Sequence, residues 1–153
     1  MARRSCQTLD PMNTALASVV SFVFVLLAVW HFRMALLPAR GASGAVPSVS
    51  GKPLFVPSAG ATVAVGVVLL LFACLVAATA GLVELGISGR VLSWLCYALA
   101  LGLLARAIGE FKYVGFFKRV RGSRFAKLDT RLYSPLCLML AVSVTVIAQR
   151  HGI

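Results

Sequence analysis

Four long apolar segments, separated by shorter polar ones, make up most of this chain of 153 residues. The second is the clearest, because no residue between Lys52 and Glu84 has a charged side chain. A helix over 61–82 rises about 1.5 Å per residue, so it can cross the roughly 30 Å hydrocarbon core of a bilayer. It also lacks the polar face of a soluble surface helix. The pattern predicts one domain over 1–153, an all-α polytopic membrane protein whose four transmembrane helices form an antiparallel up-down bundle. The predicted helices lie at about 12–37, 61–82, 91–109 and 132–149, with a basic aromatic loop over 110–131.

Composition agrees with a membrane protein. Apolar residues are 60% of the chain and charged residues 12%, against roughly 45–50% and about 25% in soluble domains. The net charge is +11, from 15 Lys and Arg against 4 Asp and Glu. In a soluble protein this excess would suggest nucleic acid, but here the cations lie between apolar segments. We therefore expect membrane lipids with anionic headgroups as partners, a membrane-protein partner or self-association as further alternatives, and no nucleic acid.

The distribution of Lys and Arg also predicts an orientation. The loops 38–60 and 110–131 fall on one face of the bundle and hold most of these cations. The positive-inside rule places that face in the cytoplasm and both termini outside, and we expect a bacterial inner membrane. Arg3 and Arg4 favour the opposite orientation. A cleaved signal peptide is the alternative for the first segment, but the segment is longer than a usual signal core, so we expect a retained helix.

In the loop 110–131, aromatic residues alternate with cations. Rings at the interfacial level and cations among the phosphates are typical of a membrane surface. The same alternation suits single-stranded nucleic acid, whose bases stack on rings. Apolar helices on both sides favour the lipid surface. The residues predicted to contact lipid headgroups are Lys112, Lys118, Arg119, Arg121, Arg124 and Lys127.

A second group of polar residues is predicted to meet at the same membrane surface, because odd-numbered helices end on the face where even-numbered helices begin. Arg106 and Glu110 are four residues apart and can pair on one helix face. Asp129 is most simply a helix N-cap. His31 fits a proton relay, a ligand, or an interfacial residue bonded to a neighbouring helix, and these roles stay open. The full candidate cluster is His31, Arg106, Glu110, Asp129, Arg131 and Tyr133.

Small residues recur every three or four positions along helices two and three. They are Ala73, Ala77 and Ala80 with Glu84, and Ala98, Gly102 and Ala105 with Gly109. Such stripes allow close backbone approach in lipid. Because the connection is short, we expect helices two and three to pack as an antiparallel hairpin, with a pore lining as the less favoured reading.

The run from Arg106 to Cys137, RAIGEFKYVGFFKRVRGSRFAKLDTRLYSPLC, resembles the DUF3995 family of small bacterial four-helix membrane proteins. His31, Val46-Pro47 and the stretch from Gly51 to Ser58 also match the family pattern. The chain departs from it at Arg33-Met34, where the family tends to have Tyr-Trp, and at Leu37-Pro38, where it has a Gly pair. The resemblance implies an architecture, but no activity, because the family has none assigned.

The residues that carry chemistry are few. The four Cys residues form no CxxC pair, and His31 and His151 have no helical metal-binding spacing, so we expect no metal site and no cofactor. Phosphate-binding loops and nucleophile elbows are missing from the sequence. Catalytic residues are therefore unknown, and whether the protein is an enzyme stays open. We expect a binding or accessory module with a basic cytoplasmic surface. The alternative is a small carrier or membrane enzyme that acts on an amphipathic or anionic molecule at His31, Arg106 and Glu110.

Overall fold

The fold is described from a computed structural model, which covers residues 11–37, 48–49, 52–53, 57–109, 114–119 and 123–151. Its helices are α1 (Pro11–Leu36), α2 (Ala59–Thr79), α3 (Gly89–Ile108), α4 (Arg124–Leu128) and α5 (Ser134–His151), with a π-helical segment, Asp129–Tyr133, joining α4 to α5. Two short antiparallel strands, β1 (Ser48–Val49) and β2 (Lys52–Pro53), lie between α1 and α2. Glu110, Lys112 and Arg121, three predicted site residues, lie outside the described residues.

Four helices are long and apolar enough to cross a membrane: α1, α2, α3 and the continuous helix Arg124–Arg150. Large apolar side chains point away from the bundle on each of them, for example Phe22, Leu71, Trp94 and Met139. A bundle in water would bury such a surface, whereas lipid solvates it. The prediction of an all-α membrane protein with four transmembrane helices is therefore confirmed, and the chain is a multi-pass membrane protein.

The helices pack mainly as two pairs that are adjacent in sequence. Contact is most extensive between α1 and α2 and then between α3 and α5, whereas α2 and α3 touch much less. Gly66 lets α1 approach α2 closely, because a Cβ at this position would lie 2.6 Å from Cε1 of Phe32. The Ser21 hydroxyl adds a hydrogen bond of 3.1 Å to the Ala73 carbonyl oxygen. The small residues of α2 therefore serve its packing against α1.

The small-residue stripe predicted on helix three does not pack against helix two, although the two helices do meet near their connection, where Thr79 Oγ1 lies 3.2 Å from Cys96 Sγ. Ala98, Gly102 and Ala105 are exposed on the outside of α3, and a Cβ at Gly102 would meet nothing within 4 Å. The buried face of α3 carries Cys96 and Leu99 instead. This face also buries Ala100 and Ala107, so the small residues of α3 that pack inside the bundle are not those of the predicted stripe.

The fourth apolar helix begins earlier than predicted. The Ser123 hydroxyl caps α4 by accepting a hydrogen bond of 3.0 Å from the backbone N–H of Ala126. In the helix predicted from residue 132, Pro135 would lie in the opening turn, where proline is tolerated, but in the structure it lies inside a continuous helix. Proline has no N–H and its ring crowds the preceding turn. The wider π-helical turn immediately before it, in which the Ser134 N–H donates to the Asp129 carbonyl oxygen, accommodates this residue.

Candidate functional site

The candidate site lies where α3 ends and α4 begins. Gly109 ends α3 with a φ of 82°, and its N–H donates to the Ala105 carbonyl oxygen at 2.8 Å. The chain returns at Gly115, which has a φ of 91°. A Cβ on either glycine would collide with the backbone of the opposing segment. Only glycine tolerates both the positive φ and this approach, so the two glycines bring residues 114–119 back against the end of α3.

Asp129 joins this returning segment to two helices. Arg106 Nη2, on α3, donates to Asp129 Oδ1 at 3.0 Å. Asp129 Oδ2 accepts from the Gly115 N–H at 2.7 Å and from Lys118 Nζ at 2.9 Å. The Asp129 side chain is 0% exposed. The carboxylate thus holds α3, the segment 114–119 and the start of the last helix together, through three charge-assisted hydrogen bonds.

Lys118 is buried, which corrects its prediction as a headgroup contact. Its side chain is 2% exposed, and its ammonium also donates to the Gly115 carbonyl oxygen at 2.9 Å and to Thr130 Oγ1 at 2.6 Å. A lysine is buried in this way only when it is paired. Lys118 therefore holds the loop in place and does not reach the membrane surface.

Asp129 is not the N-cap that the sequence suggested. Its backbone is helical, with φ −62° and ψ −45°, and it lies inside the helix that Ser123 caps. Its carboxylate is consequently free to accept from side chains and a backbone group outside its own helix. Tyr133 packs its ring near that of Phe125, with the centroids 6.1 Å apart, while Arg131 is exposed.

His31 is half-buried near the end of α1, and its Nδ1 lies 2.7 Å from the Leu27 carbonyl oxygen one turn earlier. With Nδ1 donating to that oxygen, the neutral ring presents Nε2 as an acceptor. Among the described residues, no hydrogen bond or ion pair connects His31 to Arg106 or Asp129. The predicted Arg106–Glu110 pair involves a residue outside the described ranges, and Arg106 is bound to Asp129.

The structure thus brings together Arg106 and Asp129 from the predicted cluster and adds Gly115, Lys118 and Thr130. Sequence reasoning missed these three. One available signal is that Asp129 and Glu110 are the only acids in the sequence of a strongly basic loop, so each is expected to attract a cation. No sequence pattern distinguished Lys118 from its basic neighbours, because its burial depends on the return of the chain at Gly115.

The opposite face of α4 is basic and exposed. Arg124, Lys127 and Arg131 are three and four residues apart, so they share one helix face, and all three are exposed. Phe125, Ala126 and Asp129 occupy the buried face. Arg119 and Phe117, from the returning segment, are exposed as well, with Phe117 63% exposed. We call Phe117, Arg119, Arg124, Lys127 and Arg131 the basic surface.

Two buried polar atoms near Asp129 have no hydrogen-bond partner: Arg106 Nη1 and Ser134 Oγ. Within the described ranges, no group of three His, Cys, Asp or Glu side chains is placed to hold a metal ion. The chemistry available at the site is therefore that of cations and hydrogen-bond donors, which suits the recognition of anions.

Comparison with known proteins gives a family and nothing finer. No curated protein matches the chain, and no solved structure matches it. The family described as "Protein of unknown function (DUF3995)" matches residues 24–144. That range takes in the second half of α1, all of α2 and α3, the Asp129 site and most of α5. The chain therefore belongs to the DUF3995 family, as its sequence pattern predicted.

Proposed function

We propose that the protein is a membrane-embedded binding module that holds anionic lipid headgroups against its basic surface. One observation carries this proposal. The buried Asp129 network fixes α4 so that Arg124, Lys127 and Arg131 all face outward. The proposal also places this surface in the cytoplasm, as the positive-inside rule requires.

The composition of the basic surface favours a lipid interface. Phe117 and Leu132 are exposed beside its cations, and apolar side chains among cations insert at the headgroup boundary. Each Lys or Arg near an anionic membrane contributes about 1 kcal/mol of attraction. Four such cations on one surface give a preference for anionic lipid that can be measured. A membrane-protein partner would meet the same surface from the side, and a test with pure lipid separates the two.

The alternative of a carrier or membrane enzyme requires His31, Arg106 and Glu110 to act on one molecule. In the described part of the chain, His31 bonds to its own helix and Arg106 to Asp129. No hydrogen bond or ion pair between His31 and Arg106 is present in that part, so the described geometry favours headgroup binding.

The test is to reconstitute the protein in bilayers of equal amounts of phosphatidylglycerol and phosphatidylcholine, extract it gently, and count the retained lipids by native mass spectrometry. We expect enrichment of phosphatidylglycerol that falls as salt is raised. The combined variant Arg119→Gln, Arg124→Gln, Lys127→Gln, Arg131→Gln should lose more than tenfold of this enrichment.

The matched control removes cations from the other end of the bundle. Arg90 and Arg150 are exposed there, and the double variant Arg90→Gln, Arg150→Gln should retain lipid as the unmodified protein does. Equal enrichment in the four-residue variant and the unmodified protein would refute headgroup binding by the basic surface. If phosphatidylglycerol is enriched only when another membrane protein is present, the result would favour a membrane-protein partner over direct lipid binding.

A further inference from the structure

The Asp129 network holds more positive charge than its carboxylate balances. Two cations, Arg106 and Lys118, share the one carboxylate of Asp129. An ammonium has three donors, and Lys118 uses all three on Gly115, Asp129 and Thr130. Lys118 therefore uses all three of its hydrogen-bond donors. The donors that remain available belong to Arg106.

Arg106 uses little of its hydrogen-bonding capacity. A guanidinium has five N–H donors and commonly pairs with a carboxylate through two of them. Here Asp129 Oδ2 is occupied by Gly115 and Lys118, so Arg106 meets only Oδ1, through Nη2. Its Nη1 is buried without a partner. Nevertheless 38% of the side chain is exposed, so a ligand can approach it from outside.

The position of Arg106 indicates which ligand would reach it. It lies in the last turn of α3, at the end of an apolar span. The end of such a span lies at the headgroup level of a bilayer, where phosphate groups are the abundant anions. A planar guanidinium with spare donors matches the oxygens of a phosphate.

We propose that Arg106 binds one phosphate group at the junction of α3 and α4, with its guanidinium turning about the Asp129 contact so that Nη1 donates to a phosphate oxygen. Asp129 keeps Arg106 in place and Lys118 supplies the neighbouring positive charge. The phosphate belongs to a lipid headgroup or to free phosphate. This inference deepens the proposed function and rests on it for the lipid as a source. It differs in requiring one discrete site that recognises the phosphate group itself, whatever the net charge of the lipid.

That difference defines the experiment. The protein in neutral detergent is titrated calorimetrically with dioctanoylphosphatidylcholine, which carries a phosphate but no net charge, and with dioctanoylglycerol, which has the same chains and no phosphate. We expect saturable binding of one phosphatidylcholine per chain and at least fivefold weaker binding of dioctanoylglycerol. Arg106→Lys keeps a positive charge for Asp129 but lacks the second nitrogen, so it should weaken phosphatidylcholine binding at least fivefold. Arg90→Lys, in the first turn of the same helix, should leave it unchanged.

Further measurements keep the test decisive. The unfolding midpoint of Arg106→Lys should match that of the unmodified protein. If it does not, Arg106→His, which also retains a hydrogen-bond donor, must show the same loss of binding. Competition by sodium phosphate would show that the site takes the free ion as well, whereas Arg106-dependent binding without competition would assign the site to the lipid. The variant without the four cations of the basic surface should still bind phosphatidylcholine. The experiment therefore tests phosphate binding by Arg106 separately from the binding of anionic lipid by the basic surface.

The proposal is wrong if Arg106→Lys binds phosphatidylcholine as tightly as the unmodified protein does, or if dioctanoylglycerol binds equally well. It is also wrong if phosphate binding appears only after Glu110→Gln, because the carboxylate of the chain itself would then hold Arg106.

Discussion

At the scale of single residues, Asp129 determines the form of the site. Its carboxylate accepts from Arg106, Gly115 and Lys118 together. A buried lysine without its counter-ion is far more costly than an exposed one, since the remaining charge has neither water nor a partner. The stability of this end of the bundle should therefore depend more on Asp129 than on either cation alone.

We expect Asp129→Asn to lower the free energy of unfolding by about 3–5 kcal/mol, because the buried Lys118 charge loses its partner. Lys118→Met should cost less, about 1–3 kcal/mol, since Asp129 keeps Arg106 and Gly115. The double variant should be more stable than Asp129→Asn alone. Denaturant unfolding in detergent micelles measures all three, and Glu84→Gln, in an exposed turn, is the control. An Asp129→Asn protein as stable as the unmodified one would contradict the described network.

At the scale of elements, the site depends on the return of the chain between α3 and α4. Gly109 and Gly115 both have positive φ, and their backbones touch. Gly102, in the middle of α3, has open space where a Cβ would lie. The three glycines in one short stretch of chain therefore have different structural roles.

Gly109→Ala and Gly115→Ala should each destabilise the protein by at least about 1–3 kcal/mol, because the new methyl group meets backbone and the positive φ is strained. Gly102→Ala should be neutral or stabilise α3 by about 0.5–1 kcal/mol, since alanine restricts the unfolded chain. Thermal unfolding in detergent compares the three variants. If all three shift the midpoint equally, the glycines at the ends of the returning segment have no special role.

The elements also show how far sequence reasoning reaches. The spans of α1, α2 and α3 were close to those predicted, because long uncharged runs define them. The start of the last helix was missed, because Arg124, Lys127 and Arg131 make its exposed face as basic as a loop. The packing role of the α3 stripe was misjudged, since a stripe of small residues shows that close approach is possible but not whether a neighbouring helix lies there. Arg106 and Asp129, two of the candidate residues, are in contact, whereas the contact of Lys118 with Asp129 depends on how the segment between α3 and α4 folds.

At the scale of the whole molecule, the alternation of helices places the end of α1 and the segment 114–119 on one membrane face, and the turn between α2 and α3 on the other. In a variant without native cysteines, Arg33→Cys and Arg119→Cys should react with a membrane-impermeant thiol reagent from the cytoplasmic side of intact cells or vesicles. Ile87→Cys, in the exposed α2–α3 turn, should react from the outside. Reaction of positions 33 and 119 from different compartments would contradict the four-helix arrangement.

The packing of the bundle as two pairs has a consequence for its biogenesis. Each pair is made of membrane-spanning helices that follow one another in the chain, so all residues of a pair are available once its second helix has been made. Chains are synthesised from the N-terminus and fold in that order. The α1–α2 pair can form its internal contacts once residue 79 has entered the bilayer, before α3 has entered it. The Asp129 contacts join residues 106, 115, 118 and 129, so they can form only after the first pair of helices has been made.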